Sequence, residues 1–548
     1  MNCFDAKNRN ELIKKISEKN YDLLIIGGGI TGAGIALDAA SRGLRCVLIE
    51  KKDFASGTSS KSTKLIHGGL RYLKQFEIAL VREVGRERAT VHRLAPHLVR
   101  SEKMLLPLIK DGTYGKILTS VGLMVYDVLA GVEKADQRKM LSKEETLRIE
   151  PLIDESVLEG GGIYAEYRTD DARLTIEVLK TASNYGADII NYAEGLEFLY
   201  DDANKIRGME WKDNLTGDTY KLSASHVISA AGPWVDQLRE KNKSLQGKHL
   251  HPTKGVHIVV PHERFPVKQS VYFDVPDGRM IFAIPRGRVT YVGTTDTDYS
   301  GDLDDVRTNR EDVEYLVDGV NHIFPSVDLK AKDVESTWVG LRPLIEEEGK
   351  SASQLSRKDE IFESETGLLS IAGGKLTGYR KMAERIIDRL LNNLNGQNQK
   401  KISKCITDRI PLTGGTFQSS IDVDSYTSDI EKKLQSIGLD QMADYLVSNY
   451  GKQTDLIIEG FNERREKDPE IRLGMAELDF TLKYEAVFSL LDFFERRTGR
   501  LYFDIGSIDK LKEPAIMHMK EFFNWDAQRE NQERTWLENA VKVSSEFK

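Results

Sequence analysis

Three glycines and one glutamate near the start of the chain have the types and spacing of a dinucleotide-binding turn. One apolar run ends at Ile26 and a second ends just before Glu50; the three glycines of the pattern, Gly27, Gly29 and Gly32, follow the first run. In this pattern the glycines allow a tight turn, let a pyrophosphate approach the backbone, and let helix and strand pack closely. An acidic residue at the position of Glu50 typically accepts hydrogen bonds from a ribose. The pattern predicts an adenine dinucleotide site, and it does not separate NAD from FAD.

Two further segments after Glu50 carry residues suited to a bound ligand. Residues 57–63 read GTSSKST, whose hydroxyl and backbone N–H groups could bind phosphate oxygens, and residues 64–73 read KLIHGGLRYL. A plain polar loop and the start of a surface helix are the alternatives for these two segments. The candidate ligand-binding residues are Thr58, Ser59, Ser60, His67, Gly68, Gly69, Arg71 and Tyr72.

Composition favours a globular enzyme. The 548 residues should form two or three domains, and the net charge of −8 argues against a nucleic-acid partner. Cys3, Cys46 and Cys405 lie far apart, so we expect free thiols and no metal site. We expect neither a secretory signal nor a membrane-spanning run, and therefore a cytoplasmic location.

The chain resembles the FAD-dependent glycerol-3-phosphate dehydrogenases, a family within the D-amino-acid-oxidase-like flavoproteins. The two motifs HGGLRYL and GGKLTGYRK together are far more specific for this family than the first glycine turn. The matching stretches run in order from Gly27 to Glu384 and read IIGGGITGAGIALDAASRG, TSSKSTKLIHGGLRYL, DDARL, AAGPWVD, KGVHIVVP, VGTTDTDY, GLRPL and IAGGKLTGYRKMAE. A helical C-terminal region, including residues 484–498, is also similar.

The resemblance implies an α/β fold with three parts. They are a Rossmann-like FAD-binding domain of the glutathione-reductase type, a substrate domain built on an antiparallel sheet, and a C-terminal α-helical domain. The corresponding ranges are 20–75, 150–235 and 355–400 for FAD binding, 76–149 and 236–354 for the substrate domain, and 401–548 for the helical domain. The residue pattern itself predicts helices at 76–96, 171–185 and 376–391, and strands at 226–230, 256–260, 279–284, 289–292 and 368–372.

FAD is the cofactor that the resemblance implies. A second glycine turn at Gly373 and Gly374 precedes a predicted helix, whose N-terminus could stabilise negative charge on a reduced flavin. An ordinary strand–turn–helix crossover is the alternative. The expected FAD-binding residues are Gly27, Gly29, Gly32, Glu50, Thr58, Ser59, Ser60, His67, Gly68, Gly69, Gly232, Gly374, Lys375, Leu376 and Thr377.

The implied substrate is sn-glycerol 3-phosphate, whose phosphate requires cations. The matching motifs assign substrate binding to Arg71, Tyr72, His257, Arg342, Arg357 and Lys375, with Thr295 and Asp296 in support. Arg357 matches in a looser context. Arg342, His67 and His257 are the catalytic candidates, and the proton acceptor stays undecided. Because arginine is a poor base at its usual pKa, Arg342 is assigned first to anchoring and electrostatics.

The implied reaction gives dihydroxyacetone phosphate by hydride transfer to flavin N5, with electrons passed to a membrane quinone. The apolar segment 114–130, flanked by lysines, is either a helix lying in the lipid interface or a buried core helix. We therefore expect a peripheral protein on the inner face of the cell membrane, with a homodimer as a candidate assembly. A soluble oxidase that reduces oxygen to hydrogen peroxide and a catalytically silent flavin-binding protein remain alternatives.

Overall fold

The computed structural model describes residues 4–67, 78–110, 112, 137–346, 358–394 and 403–547. Five predicted site residues and the apolar segment 114–130 lie outside this part of the chain; the five are Gly68, Gly69, Arg71, Tyr72 and Arg357.

Eighteen strands within the described residues form two sheets. In chain order they are β1 (Asn20–Ile26), β2 (Cys46–Ile49), β3 (Leu65–Ile66), β4 (Arg100–Ile109), β5 (Lys139–Leu141), β6 (Leu158–Arg168), β7 (Asp188–Ile190), β8 (Ala193–Tyr200), β9 (Ile206–Asp213), β10 (Thr219–Ser229), β11 (Leu250–Pro261), β12 (Ser270–Asp274), β13 (Met280–Arg286), β14 (Val289–Gly293), β15 (Thr297–Asp298), β16 (Ser336–Ile345), β17 (Asp359–Glu363) and β18 (Leu368–Gly373).

Fifteen α-helices accompany these strands in the described ranges. They are α1 (Arg9–Glu18), α2 (Ile30–Ser41), α3 (Ile78–Leu94), α4 (Lys143–Ile149), α5 (Asp171–Asn184), α6 (Val235–Lys241), α7 (Arg310–Ile323), α8 (Tyr379–Leu394), α9 (Ser420–Gln435), α10 (Ala443–Tyr450), α11 (Thr454–Glu463), α12 (Pro469–Tyr484), α13 (Arg500–Phe503), α14 (Gly506–Phe523) and α15 (Ala527–Ser545). A π-helix (Asp492–Arg497) precedes α13.

The first sheet has the order β17-β18-β10-β1-β2-β7, with β9 paired to β10 and β8 paired to β9. Strands β18, β10, β1, β2 and β7 run parallel, while β17 and β9 are antiparallel to their neighbours. The runs at 23–26 and 46–49 are buried and continuously apolar, as expected for parallel strands covered on both faces. Helix α2 packs against both α5 and α8.

The second sheet has the order β15-β11-β14-β13-β12-β4-β6-β3, with β16 paired to β11 and β5 paired to β6. Its pairs are antiparallel except for β12 with β4. Strand β6 belongs to this sheet although it lies within the range 150–235 that we predicted for FAD binding. The predicted domain bounds stay a prediction.

The C-terminal helices have one core of their own and share a second core with the second sheet. The first includes Tyr450 and Phe480, and the second joins Tyr164 and Trp338 to Phe493. The fold class predicted from the sequence, with its FAD-binding-type sheet, antiparallel sheet and helical C-terminal region, is confirmed.

The turn between β1 and α2 depends on close backbone contact. Gly27 has a φ of +116°, which side chains rarely adopt, and a Cβ there would lie 2.5 Å from the carbonyl oxygen of Ala230. A Cβ on Gly32 would lie 1.9 Å from the carbonyl oxygen of Gly27. Helix α2 can therefore approach the end of β1 only if residue 32 is glycine.

Replacing Gly32 by alanine should lower the free energy of unfolding by about 2 kcal/mol or more, because overpacking against rigid backbone costs roughly 1–3 kcal/mol and occasionally more. Urea unfolding followed by circular dichroism measures this. Gly506→Ala is the control, since a Cβ there meets no described atom within 4 Å. Equal stability of the Gly32→Ala protein and the wild type would contradict the close packing.

Candidate functional site

A cavity of about 970 Å³ lies between the two sheets. The first sheet contributes residues that follow the carboxyl ends of its parallel strands β1, β2, β10 and β18, where ligands bind in open α/β sheets. The second sheet contributes residues of β6, β11, β13 and β16. The volume is at the upper end of the roughly 300–1,000 Å³ found for small-molecule sites.

Most predicted site residues that the structure describes line this cavity. The lining residues among them are Gly27, Gly29, Glu50, Thr58, Ser59, His67, Gly232, His257, Arg342, Gly374, Lys375, Leu376 and Thr377. Gly32 and Ser60 are not part of the lining. Gly32 packs against the carbonyl group of Gly27, and the carbonyl group of Ser60 accepts a hydrogen bond from Lys64.

The Glu50 carboxylate holds the glycine turn. One oxygen accepts a hydrogen bond from the Gly28 N–H at 2.7 Å, and the other accepts one from the Lys52 N–H at 2.9 Å. Burial raises the pKa of Glu50, although these two N–H groups act in the opposite direction. Glu50 therefore joins the turn to the loop that follows β2, a role beyond the ribose contact that the sequence pattern predicts.

The hydroxyl-rich segment connects the two sheets around the cavity. The Ser59 Oγ accepts a hydrogen bond from the Ile30 N–H at 2.9 Å, at the first residue of α2. The Thr58 hydroxyl donates to the carbonyl oxygen of Leu341 in β16 at 2.6 Å. The segment is thus an ordered bridge between the dinucleotide turn and the second sheet.

The second glycine turn lets the backbone pass close to the cavity. Gly373 and Gly374 have φ angles of +75° and +77°, and a Cβ on Gly374 would lie 2.4 Å from the Met382 sulfur. The Thr377 hydroxyl donates to the carbonyl oxygen of His67 at 3.3 Å. This bond joins the turn before α8 to the start of the HGGLRYL motif.

Arg342 is held in one orientation on β16. Its Nη1 donates to the carbonyl oxygen of Thr295 at 3.2 Å and to an Asp296 carboxylate oxygen at 2.9 Å, and its Nη2 donates to the Thr294 hydroxyl at 3.1 Å. A Cβ on Gly255 would lie 2.5 Å from Nη2, so the glycine in β11 makes room for the guanidinium. The side chain is 18% exposed, and it lines the cavity.

His257 is a buried, neutral imidazole. Its ring stacks on Trp338 with centroids 4.7 Å apart, and its Nε2 lies 3.0 Å from the Thr63 hydroxyl oxygen. Burial lowers the pKa of His257 well below its ordinary value, and the positive charges of Arg342 and Lys64 lower it further. Its Nδ1 has no hydrogen-bond partner within the described part of the chain.

Sequence reasoning missed a further cavity cation, Arg279. Its Nε donates to Asp277 at 2.7 Å, its guanidinium lies over the Tyr315 ring at 4.3 Å, and its Nη1 lies 3.5 Å from the carbonyl oxygen of Asp296. The side chain remains one-third exposed. The available signal was an Asp-Gly hairpin turn followed directly by a cation at 277–279.

Two sequence families match the chain. The family described as "FAD dependent oxidoreductase" matches residues 22–380, and the "C-terminal domain of alpha-glycerophosphate oxidase" matches residues 405–530. The aerobic glycerol-3-phosphate dehydrogenase of Bacillus subtilis (strain 168) is 49% identical over 96% of this chain and 96% of its own length. The protein of the same name from Staphylococcus aureus (strain USA300) is 47% identical over 97% and 96%, respectively.

One solved structure supports the same family, and a second shares its fold. The glycerol-3-phosphate dehydrogenase from Bacillus halodurans complexed with FAD has a TM-score of 0.85 and 42% identity, covering 99% of each chain. The FAD-bound L-α-glycerophosphate oxidase from Mycoplasma pneumoniae has a TM-score of 0.54 over 68% of this chain and 95% of its own. At 20% identity the second likeness shows a shared fold alone.

The low pKa of His257 predicts a pH-dependent stability. Unfolded histidine binds a proton below about pH 6.5, whereas folded His257 does not, so stability should fall as the pH falls below that value, by up to about 1.4 kcal/mol per pH unit. The difference in unfolding free energy between the wild type and His257→Asn, measured by urea unfolding, should shrink toward acid pH. His322→Asn, at an exposed site, is the control. A pH-independent difference would contradict a neutral His257.

Proposed function

The chain belongs to the family of FAD-dependent glycerol-3-phosphate dehydrogenases, and on that premise we propose that it oxidises sn-glycerol 3-phosphate to dihydroxyacetone phosphate with FAD as cofactor. One observation carries the proposal beyond family membership. A single cavity contains a dinucleotide-type glycine turn at one sheet and a partly buried, oriented arginine, Arg342, at the other. The first feature suits FAD and the second suits a phosphorylated alcohol.

The chain's own residues fit FAD. Gly29 and the first residues of α2 line the cavity, where a helix N-terminus suits a pyrophosphate, and Gly373 and Gly374 line it near the second sheet. Additional candidate contacts are the hydroxyl groups of Thr58 and Thr377. When bound, FAD supplies the acceptor for a hydride.

The phosphate of the substrate would meet several cations. Arg342, Arg279 and Lys375 all line the cavity. Arg342 and Arg279 both contact residue Asp296, the first through its carboxylate and the second through its carbonyl oxygen. These contacts fix the guanidinium groups before a ligand arrives, which lowers the ordering cost of binding.

Oxidation at C2 also requires that the hydroxyl group lose its proton. Arg342 is unsuited to accept it, because a guanidinium stays charged at neutral pH. Burial and nearby cations disfavour protonated His257 in the free protein, whereas the negative phosphate of a bound substrate would favour it; on that ground we propose the His257 ring as the acceptor. His67, which lines the same cavity, is the second candidate.

For the electron acceptor we propose a membrane quinone. The support is the name of the full-length relatives, aerobic dehydrogenases, together with the apolar segment 114–130 and its flanking lysines. None of the helices in the described ranges could span a lipid bilayer. A peripheral location on the inner membrane face and a homodimer stay predictions. Oxygen is the second candidate, because the matching C-terminal family is named after an oxidase.

Anaerobic mixing of the FAD-loaded protein with glycerol 3-phosphate should bleach the visible flavin absorbance. Arg342→Ala should require roughly ten- to a hundredfold more substrate, since a charged hydrogen bond contributes about 1.5–3 kcal/mol. Arg279→Ala should act in the same direction. Arg307→Ala is the control, because Arg307 is 62% exposed and is not part of the cavity lining. An unbleached wild type, or wild-type kinetics in Arg342→Ala, would overturn the assignment.

The acceptor is tested by measuring quinone reduction and hydrogen peroxide formation in one preparation. We expect fast reduction of a soluble quinone analogue, slow reaction with oxygen, and higher activity on addition of lipid vesicles. Stoichiometric peroxide with no response to quinone or lipid would identify an oxidase instead.

A further inference from the structure

A buried carboxylate beside the cofactor turn is held by the C-terminal helical region. Asp53 follows Glu50 by three residues and is 1% exposed. Arg497 donates to its two oxygens at 2.7 and 2.9 Å, and Arg496 donates through Nε at 2.5 Å. Asn191 adds a hydrogen bond at 3.0 Å. The contact joins residues that are 444 positions apart in the chain.

The loop that contains Asp53 forms one unit with the dinucleotide turn. The Ala55 N–H donates to the carbonyl oxygen of Gly28 at 3.0 Å, and the Gly28 N–H donates to Glu50. A Cβ on Gly28 would lie 2.9 Å from the ring of Phe54. The same loop lines the cavity with Lys51, Ser56, Gly57, Thr58 and Ser59. A displacement of Asp53 would therefore displace the backbone that faces the cavity.

The two arginines are themselves fixed within the C-terminal region. Arg497 donates to the carbonyl oxygen of Glu485 at 2.7 Å, and Arg496 donates to Asp492 at 2.9 Å. Glu533 of α15 accepts hydrogen bonds from the Leu490 N–H at 2.9 Å and from the Ser489 hydroxyl at 2.8 Å, just before the π-helix. The guanidinium groups therefore join the π-helix to the loop at 50–61, so that a shift of one would shift the other.

The electrostatics keep Asp53 charged. Burial raises the pKa of Asp53, but the charges of Arg497 and Arg496 outweigh burial and lower the pKa to about 2. A buried carboxylate without these partners would be strongly disfavoured. The buried conformation of the loop is therefore stable only while Arg496 and Arg497 of the C-terminal region pair with Asp53.

We propose that Arg496 and Arg497 are positioning residues for FAD, and that the C-terminal helical region is part of the FAD site through their contact with Asp53. FAD binding and docking of the π-helix are then coupled, and each should strengthen the other. The inference rests on the proposed FAD cofactor, and it does not depend on which substrate reduces the flavin.

The first test compares FAD binding by two matched variants. Arg497→Lys keeps the charge and removes the two-point contact with Asp53. Arg500→Lys makes the same change at a buried arginine of the same region, which pairs with Glu477 rather than with Asp53. The FAD dissociation constant is measured by titrating the apoprotein and following flavin fluorescence, and the unfolding temperature is measured beside it.

We expect Arg497→Lys to weaken FAD binding by about tenfold, the effect if the charged hydrogen bond lost at Asp53 is fully coupled to FAD binding, while Arg500→Lys stays within about twofold. Both variants should lose stability. An unchanged dissociation constant in Arg497→Lys, or equal weakening in both variants, would overturn the proposal. A wild type that binds FAD but is not bleached by glycerol 3-phosphate would overturn the proposed substrate alone.

The second test uses the wild type and does not depend on a variant that folds. Hydrogen exchange is measured by mass spectrometry with and without FAD. We expect FAD to slow exchange in peptides covering the π-helix at 492–497, and to leave peptides of α10 and α11 unchanged. No slowing in the π-helix peptides, or uniform slowing of the whole C-terminal region, would contradict coupling through Asp53.

Discussion

The close contact between the end of β1 and the first turn of α2 determines where the neighbouring parts of the site lie. The carbonyl oxygen of Gly27 occupies the position that a Cβ on Gly32 would need, so strand and helix approach more closely than side chains allow. That approach leaves the Gly28 N–H directed at Glu50, which in turn fixes the start of the loop at 50–61. The glycine turn and the loop at 50–61, both of which contribute to the cavity lining, depend on this geometry.

The two sheets contribute different chemistry to one cavity. The first sheet presents backbone N–H groups, hydroxyl groups and glycines, which suit the phosphates of a dinucleotide. The second presents Arg342 and Arg279, each held by oxygen acceptors before any ligand binds. A fold of this kind hosts many reactions, so we expect substrate choice to depend on these cations and on His257 rather than on the fold.

The C-terminal helical region packs closely against the rest of the chain. It shares a core with the second sheet, and its π-helix holds Asp53 beside the dinucleotide turn. A buried ion pair is weak evidence for stability, because desolvation opposes the attraction between the charges. It is better evidence for a specific geometry, since few other arrangements satisfy Asp53, Arg496 and Arg497 together.

The sequence by itself determined the features that depend on neighbouring residues. The Gly27–Gly32 turn, the helix at 171–185, the alternating strands after residue 250 and the family resemblance were all predicted, and the fold and family are confirmed. Backbone periodicity and turn chemistry operate over a few residues, so they are visible in a printed sequence. The assignments of individual site residues all stay predictions, and Gly68, Gly69, Arg71, Tyr72 and Arg357 lie outside the described residues.

Only the tertiary structure decided which distant side chains meet. No local pattern relates Asp53 to Arg497, Thr58 to the carbonyl group of Leu341, or Arg279 to Asp296. These contacts depend on how two sheets and a helical region pack, and a charged residue in a sequence looks the same whether it faces water or a buried partner. Packing therefore brings Glu50 to the glycine turn, and it brings Arg496 and Arg497 to Asp53 in the loop at 50–61.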